Sequence, residues 1–377
     1  MADRRAAVVI LGGGPAGASA AIAVRQRSDA RVVVIEAGDY SAECIGESVP
    51  PDVMLLLQRL GVAQRFVDDA HDPCHGFVSV WGDERAGRND FIYNPLGHAW
   101  HLDRRRFDRM LASRARELGA EFHLRAQFLG AERHDDGFAL SVRLADRSVT
   151  RIPAATVVDA TGPAARFARS LKVMPVVSDR FFAIARIATL RRGALPGLTL
   201  LEATRDGWWY AAPLPGRRVV TMMAMDDEMV ATLSAHACAS WRSALEATTL
   251  IGPALARCEL EDETFLVKPV VSSTLERTEG DGWYAAGDAA SSFDPLAAQG
   301  IYKALEDGID VGERIASGEA APRDAIARRY ADYRANRAWL YAREQRWRDA
   351  PFWKRRSEPP SAIDMIRMLD RKERCAP

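Results

Sequence analysis

Three glycines near the start of the chain have the type and spacing of a turn that binds a dinucleotide. Gly12, Gly14 and Gly17 form a Gly-x-Gly-x-x-Gly segment, and Glu36 lies nineteen residues after Gly17. The first glycine permits a tight turn, the second lets the backbone approach a pyrophosphate, and the third allows a helix to pack closely on a strand. A carboxylate at the position of Glu36 can bind a ribose that carries no 2′-phosphate. This pattern predicts an adenine dinucleotide site.

The sequence around the glycines supplies the elements that such a site needs. Residues 7–11 are apolar and predict a buried parallel strand, residues 15–27 predict an alanine-rich helix, and residues 31–36 predict a second strand. This order distinguishes a binding turn from a glycine-rich turn that merely packs. The further positions expected to contact the cofactor here are Pro15, Ala16 and Ala37.

A second and distant segment favours FAD over NAD. Gly287-Asp288 follows an apolar strand pattern, and Pro295–Gly300 leads into a helix that starts near Ile301. The carboxylate of Asp288 can hold ribityl hydroxyls, and the helix N-terminus places its positive end where a reduced flavin carries charge. Gly-Asp alone is a common turn dipeptide, so the prediction rests on its combination with the N-terminal motif. The residues expected to contact FAD in this segment are Asp288, Pro295, Gly300 and Ile301.

An arginine-rich turn raises a question of charge compensation. Arg104, Arg105 and Arg106 occupy the first turn of a helix predicted over 103–118, where three cations oppose the helix dipole. Asp108 can pair with Arg104 at i,i+4, or a flavin pyrophosphate can supply the negative charge. Both readings stay open, and Arg104 is a candidate FAD ligand.

Candidates for the reacting site are fewer. Glu47 could accept a proton from a substrate or could simply lead into the following helix, and His101, like His98, could act as an acid or base or could be a structural histidine. An aromatic run could line a substrate pocket or fill the core of a strand. That run consists of Trp208, Trp209 and Tyr210.

Composition excludes several classes of protein. The chain has 377 residues, 51 Lys+Arg against 51 Asp+Glu, and a hydrophobic fraction of 48%, which indicates a globular protein without the basic surplus that nucleic-acid binding needs. Five widely separated cysteines predict neither a disulfide framework nor a zinc site, and no other metal site is expected. Residues 6–24 carry no charge, but the glycine turn interrupts them, so no membrane span is expected. The sequence shows no readable targeting signal, so a cytoplasmic location is expected. Nothing here indicates the oligomeric state.

Patterns along the chain predict an α/β protein with a discontinuous nucleotide-binding domain. Residues 1–70, 100–172 and 281–321 are assigned to an FAD-binding domain, and residues 71–99 and 173–280 to a sheet-rich substrate domain. Residues 322–377 are assigned to a C-terminal helical arm, whose aromatic residues at helical spacing are expected to pack on the core. A second glycine-rich βαβ motif is absent from the sequence, so electrons are expected from transiently bound NAD(P)H or from a separate flavin reductase.

These segments, in their order, resemble FAD-dependent monooxygenases of the tryptophan-halogenase-like branch, which includes flavoproteins that hydroxylate peptidyl tryptophan in tryptophylquinone biogenesis. The resemblance is carried by Gly12–Gly17, Gly46-Glu47-Ser48, Trp100–Arg104 with Phe107-Asp108, Asp159–Gly162, Gly287-Asp288, Pro295–Gly300, Tyr341-x-x-Glu344-x-x-Trp347 and Pro351-Phe-Trp353. It implies a Rossmann-like FAD-binding fold of the p-hydroxybenzoate-hydroxylase type, with Ser48 near the cofactor. It also implies that reduced FAD captures O2 as a flavin C4a-hydroperoxide, whose terminal oxygen passes to an aromatic ring.

Two departures from the halogenases of that branch bear on the reaction. Halogenases carry a lysine after the Gly-Glu segment that captures hypohalous acid, whereas this chain has no lysine before Lys172, and an arginine cannot supply a neutral amine. Where they have Trp-x-Trp-x-Ile-Pro, this chain has Tyr210 and Ala212 in place of the second Trp and the Ile. The expected function is therefore hydroxylation of an electron-rich aromatic ring, an indole or a phenol. The resemblance alone implies peptide-bound tryptophan as the preferred substrate, and carrier-bound tryptophan is the other form to consider. The alternatives are a halogenase, an oxidoreductase like geranylgeranyl reductase, and a non-catalytic nucleotide-binding module.

Overall fold

The computed structural model describes residues 7–228, 237–318 and 325–357. Residues 358–377 of the predicted C-terminal helical arm lie outside these residues. The chain divides into two compact units. The first unit comprises Met1–Ala70, Asp103–Ser178 and Ser272–Ala327, and the second comprises His71–Leu102, Asp179–Val271 and Arg328–Pro377.

The described strands and helices are as follows. The strands are β1 (Ala7–Leu11), β2 (Val32–Ile35), β3 (Ser48–Val49), β4 (Asp72–Cys74), β5 (Gly76–Val80), β6 (Ala86–Asp90), β7 (Ala99–His101), β8 (Glu121–His123), β9 (Gln127–His134), β10 (Gly137–Arg143), β11 (Val149–Asp159), β12 (Pro175–Arg192), β13 (Thr199–Thr204), β14 (Gly207–Leu214), β15 (Arg218–Met225), β16 (Glu259–Leu275), β17 (Glu279–Gly280), β18 (Trp283–Ala285) and β19 (Ser291–Ser292). The α-helices are α1 (Pro15–Arg27), α2 (Val53–Arg59), α3 (Ala63–Asp68), α4 (Arg104–Glu117), α5 (Arg166–Ser170), α6 (Ala237–Glu246), α7 (Ile251–Leu255), α8 (Gly300–Ser317), α9 (Ala325–Ala342) and α10 (Pro351–Lys354).

A parallel sheet forms the centre of the first unit. Its order is β18-β11-β1-β2-β8, and β9 and β10 extend it as antiparallel strands beside β11. The side chains of β1 and β2 are fully buried from Val9 to Ile10 and from Val32 to Val34, as expected for parallel strands covered on both faces. Leu11 pairs with Ile35 and with Asp159, so three strands end at one edge of the sheet.

Small residues let α1 and α8 approach each other closely within this unit. A Cβ atom on Gly308 would lie 2.2 Å from the carbonyl oxygen of Ala16, and one on Gly312 would lie 2.6 Å from that of Ala20. The backbones therefore touch where a larger residue would push the helices apart. This contact fixes α8, whose N-terminus begins at Gly300, relative to the glycine turn at the start of α1.

A mainly antiparallel sheet forms the second unit. Its order is β16-β12-β15-β14-β13-β5-β6, with β13 and β5 pairing in parallel. Trp209 packs on one face, where its ring lies 5.2 Å from that of Trp241 in α6. The buried Glu202 carboxylate accepts hydrogen bonds from the backbone N–H groups of Leu250 and Ile251, which satisfies donors at the start of α7.

The C-terminal arm covers another part of the same sheet. The indole N–H of Trp208 donates to the Tyr341 hydroxyl at 3.0 Å, and the indole N–H of Trp353 donates to the carbonyl of Thr204 at 2.8 Å. Glu344, which is fully buried, accepts a hydrogen bond from the backbone of Gly82 at 2.9 Å. Tyr341 and Trp353, two of the aromatic residues predicted to pack this arm on the core, are fully buried.

The predicted fold class is confirmed, including the opening strand, helix and strand. Some local predictions are wrong. Residues 122–126 alternate in sequence like a strand, which predicts a strand over this range, but β8 ends at His123 because the backbone of Arg125 turns with a φ of 53°. Residues 71–101, which show no clear period in sequence, contain four short strands. Of the described helices, none is long and apolar enough to cross a membrane. The described residues also contain no cluster of three His, Cys, Asp or Glu side chains suited to a metal.

Candidate FAD-binding and active site

The glycine turn that follows β1 lies at the edge of the sheet in the first unit. Gly12 has a φ of +99°, its N–H donates to the Ile35 carbonyl at 2.8 Å, and a Cβ atom there would lie 2.2 Å from the carbonyl oxygen of Ala160. A Cβ atom on Gly17 would lie 1.8 Å from the carbonyl oxygen of Gly12. Both glycines are required by the protein's own packing.

Gly14 differs from the other two glycines of the motif. A Cβ atom on Gly14 would meet no protein atom within 4 Å, and its φ of −70° suits any residue. Gly14 is the N-cap of α1, and no side chain caps the helix there. The first-turn N–H groups of α1 therefore lie beside open space, which is the arrangement that binds phosphate at a helix N-terminus.

Glu36 holds the glycine turn through its carboxylate. One oxygen accepts the N–H of Gly13 at 2.6 Å, and the other accepts the N–H of Gly38 at 2.5 Å. Tyr40 donates its hydroxyl to the Gly13 carbonyl at 3.0 Å. Burial, and then the nearby carboxylates of Glu36 and Asp108, raise the pKa of Tyr40, so the hydroxyl stays protonated and can donate. Sequence reasoning missed Tyr40, since a tyrosine in a polar loop gives no signal of this contact.

The turn after β11 packs against the glycine turn. Asp159 is fully buried, and its carboxylate accepts hydrogen bonds from Thr161 and from the N–H groups of Phe167 and Ala168 at the start of α5. These bonds fix the Asp159–Gly162 turn, whose Ala160 carbonyl leaves no room for a side chain at position 12. The glycine at position 12 is therefore required by this packing whether or not a ligand is bound.

The second predicted segment lies at the same edge of the sheet, because β18 runs parallel to β11 and ends beside it. Gly287 has a φ of +64°, and a Cβ atom there would lie 2.7 Å from that of Ala16. The Asp288 side chain is 40% exposed, and its Oδ1 accepts a hydrogen bond from Lys303 Nζ at 3.0 Å. Gly300 begins α8 without a side-chain cap, and a Cβ atom there would meet nothing within 4 Å.

The arginine-rich turn of α4 is compensated by protein carboxylates. Asp103 caps the helix by accepting the N–H groups of Arg105 and Arg106. Arg104 makes a two-point ion pair with Asp108, at 3.2 and 2.9 Å, and Arg105 pairs with Glu43 at 3.0 Å. In the structure, local carboxylates therefore balance the charge of these arginines.

Arg104 also holds the Gly46-Glu47 turn. Its guanidinium donates to the carbonyl oxygens of Ile45 at 3.2 Å and Gly46 at 3.0 Å. Gly46 has a φ of +92°, and its N–H donates to the carboxylate of Glu47 at 2.8 Å. Glu47 is 6% exposed, and Ser48 follows it as the first residue of β3. The structure thus links Arg104 to Glu47 through the backbone of one turn.

The residues of this edge fit FAD. Two helix N-termini, those of α1 and α8, have open glycine positions in front of them. The carboxylates of Glu36 and Asp288 stand at strand ends where an adenosine ribose and a ribityl chain need acceptors. Residues 5–345 match the family of the FAD binding domain. The chain belongs to this family.

As a member of the FAD binding domain family, the chain is an FAD-dependent oxidoreductase, and its curated relatives include flavin-dependent halogenases. It is 26% identical over 356 residues to the putative FAD-dependent oxidoreductase LodB of Marinomonas mediterranea, which covers 92% of this chain and 96% of that protein. The crystal structure of the flavin-dependent halogenase CmlS matches with a TM-score of 0.83 and 25% identity, over 98% of this chain and 71% of that one. The peptidyl tryptophan dihydroxylase QhpG matches with a TM-score of 0.73 and 23% identity, over 95% and 80%.

The remaining predicted FAD contacts lie around the same edge of the first unit. Ala16 is buried beneath Gly287, and Ile301 is buried in the first turn of α8. The partly or fully exposed positions are Pro15, Ala37 and Pro295. The structure therefore gathers every predicted FAD contact into one unit.

The predicted histidine lies in the second unit and is fully buried. His101 Nε2 lies 3.0 Å from the hydroxyl of Thr199, and its buried Nδ1 has no hydrogen-bond partner among the described residues. Burial lowers the pKa of His101 to about 4. The imidazole is therefore neutral at pH 7 and holds no proton that it could release as an imidazolium. His98 contacts the rings of His75 and Trp100 instead.

The aromatic run of β14 is also in the second unit. Trp208 and Trp209 are 1% and 0% exposed, and both have the packing partners described above. Tyr210 is partly buried beside Ala212 and Leu214. The lining of a substrate pocket by these three residues stays a prediction, whereas packing is the role that their contacts display.

Proposed function

We propose that this FAD-dependent oxidoreductase hydroxylates an electron-rich aromatic ring and does not halogenate it. The observation that carries the proposal is the absence of any lysine before Lys172. Halogenases that resemble this chain need a free amine after the Gly-Glu segment, and here Gly46-Glu47 is followed by no lysine for more than a hundred residues. The chain therefore has no amine after the Gly-Glu segment that could capture electrophilic halogen.

Another lysine of the first unit does not replace the missing amine. Lys303 is buried, and its Nζ is bound to the Asp288 carboxylate at 3.0 Å and to the Ser291 carbonyl. Because both contacts engage Nζ inside the protein, this lysine is not free to capture electrophilic halogen. This contact supports hydroxylation over halogenation.

The overall reaction uses one O2, two electrons and two protons, and places one oxygen atom on the ring and the other in water. When bound, reduced FAD supplies the two electrons that activate O2. The residues of the first unit bind and orient the flavin. Glu47 is buried at a turn fixed by Arg104, and its carboxylate is proposed to take the proton that the ring loses when oxygen is added. The electrons are proposed to come from NAD(P)H or from a separate flavin reductase.

The preferred substrate is a peptide-bound indole. The support for this preference is that the fold is shared with a peptidyl tryptophan dihydroxylase. An indole is electron-rich enough to attack a weakly electrophilic oxygen. When the ring is part of a polypeptide, the rest of that polypeptide can also bind to the enzyme and hold the ring in place. A phenol, or a ring tethered to a carrier protein, is the next acceptor to test.

Halogenation is the second candidate, since the fold match to CmlS covers 98% of this chain. The test is to incubate the reduced enzyme with O2 and a panel of free and peptide-embedded indoles and phenols, with and without bromide. The proposal expects product masses that gain oxygen and do not change with bromide. A brominated product that requires added bromide would establish the halogenase instead.

A further inference from the structure

Lys303 has an unusual environment for a lysine in an amphipathic helix. It is the fourth residue of α8, its side chain is 3% exposed, and residues 301, 304 and 305 around it are apolar and buried. Burying an unpaired ammonium costs several kcal/mol, so lysines are rarely buried without partners. A cation in the first turn of a helix also opposes the helix dipole. The stability of α8 therefore gives no reason for a lysine here.

Three electron-rich groups surround the ammonium. Nζ donates to Asp288 Oδ1 at 3.0 Å and to the backbone carbonyl of Ser291, and it lies 4.5 Å from the centre of the Phe293 ring. The carbonyl and the ring belong to the segment between Asp288 and α8. The lysine side chain is thus anchored by fixed groups besides the carboxylate.

The two members of the ion pair are unequally exposed. The side chain of Lys303 is 3% exposed and that of Asp288 is 40% exposed. The buried and anchored lysine therefore orients the exposed carboxylate, and not the reverse. Asp288 stands at the end of β18, at the edge of the sheet that also carries the glycine turn.

We infer that Lys303 is a positioning residue for FAD, which fixes the Asp288 carboxylate toward the ribityl chain and offsets its negative charge. FAD carries two negative charges on its pyrophosphate, so a free carboxylate beside it would repel it. With the lysine in place, the Asp288–Lys303 pair presents hydrogen-bond acceptors without net charge. The inference rests on the FAD site and is independent of whether the enzyme transfers oxygen or halogen.

The test is a double-mutant cycle on FAD affinity. Lys303→Met, Asp288→Asn and the double variant are stripped of flavin, and FAD dissociation constants are measured from flavin fluorescence without substrate. We expect Lys303→Met to weaken FAD binding tenfold or more in the wild-type background and less than threefold in the Asp288→Asn background. Lys172→Met, which removes a lysine elsewhere in the first unit, serves as the matched control and should bind FAD like the wild type.

The melting temperature of the flavin-free variants separates positioning from folding. Lys303→Met leaves the exposed Asp288 carboxylate in contact with solvent but removes the donor to the Ser291 carbonyl, and these effects oppose each other, so the flavin-free protein should melt close to the wild-type temperature. If Lys303→Met does not fold, Lys303→Arg replaces it in the test. Lys303→Arg keeps the charge, so it should bind FAD, but with a higher dissociation constant than the wild type. Wild-type affinity in Lys303→Met, or an equal loss in both backgrounds, would overturn the inference. Either result leaves the product test of the proposed function unaffected.

Discussion

Trp208 donates its indole N–H to the hydroxyl of Tyr341 at 3.0 Å, although 133 positions separate the two residues in sequence. Both side chains are fully buried, and the bond joins β14 to α9 within the second unit. The contact explains the tyrosine of the Tyr341-x-x-Glu344 motif as a structural group: it satisfies a buried donor that would otherwise lack a partner.

Tyr341→Phe tests this assignment. Removing the acceptor strands the buried Trp208 N–H, which costs about 1–3 kcal/mol of unfolding free energy. We expect a lower urea midpoint with an unchanged FAD dissociation constant. Tyr93→Phe is the control, because Tyr93 is 92% exposed and its variant should differ from wild type by less than about 0.5 kcal/mol. Equal stability of the two variants would show that the hydrogen bond does not support the fold.

The glycine turn offers a matched pair of variants. Gly14→Val places its Cβ atom in space that no protein atom occupies, so the flavin-free protein should keep its melting temperature while FAD binding is lost. Gly17→Ala places a Cβ atom 1.8 Å from the Gly12 carbonyl oxygen, so it should lower both the melting temperature and FAD affinity. Scanning calorimetry and flavin titration measure the two effects. Retention of FAD by Gly14→Val would contradict a pyrophosphate site at this turn.

The arginines of α4 should differ in their effect on the cofactor. Arg104→Met removes the donors to Ile45 and Gly46 and leaves Asp108 without its two-point partner, whereas Arg105→Met removes a half-exposed pair with Glu43. Surface pairs contribute about 0–1 kcal/mol. We therefore expect FAD affinity to fall tenfold or more in Arg104→Met and less than threefold in Arg105→Met. Similar FAD dissociation constants in the two variants would mean that Arg104 contributes no more to FAD binding than Arg105 does.

His101 should make stability depend on pH. Its pKa is lowered by burial from 6.5 to about 4, so the unfolded chain binds the proton first as the pH falls. The stabilisation is complete above pH 6.5 and is lost progressively toward pH 4, by about 2 kcal/mol at pH 5. His101→Gln has no ionisation here, so its unfolding free energy should fall less than that of the wild type between pH 7 and pH 5. An identical decline in both proteins would mean that His101 titrates normally.

Local patterns were sufficient to predict the nucleotide-binding part of the fold. The helix predicted over 103–118 is observed at Arg104–Glu117. The apolar residues after Pro50-Pro51, which Gly61 follows, indicate a helix in the same way, and it is observed at Val53–Arg59. These elements follow from apolar periodicity, caps and glycine stops that act over a few residues. The glycine motif carried its own context, because strand, turn and helix are consecutive in the chain.

Contacts between distant residues could not be predicted in this way. The sequence offers Asp108 as a partner for Arg104 at i,i+4, but it does not show that Glu43 pairs with Arg105. The sequence does not indicate the role of Lys303, since its ion pair with Asp288 depends on how α8 follows β18. A lysine within an otherwise apolar helical stretch is the signal that could have drawn attention to it. The tryptophans of β14 could equally line a pocket or fill a core until their neighbours were known.

Hydroxylation and halogenation are distinguished most directly by the product that forms when labelled oxygen and bromide are both present. Reduced enzyme is mixed with ¹⁸O2, excess bromide and a peptide that contains tryptophan, and the product is read by mass spectrometry. A hydroxylase yields a peptide that gains one or more ¹⁸O atoms and carries no bromine isotope pattern, which is the result we expect. A peptide that carries bromine and no ¹⁸O would contradict it.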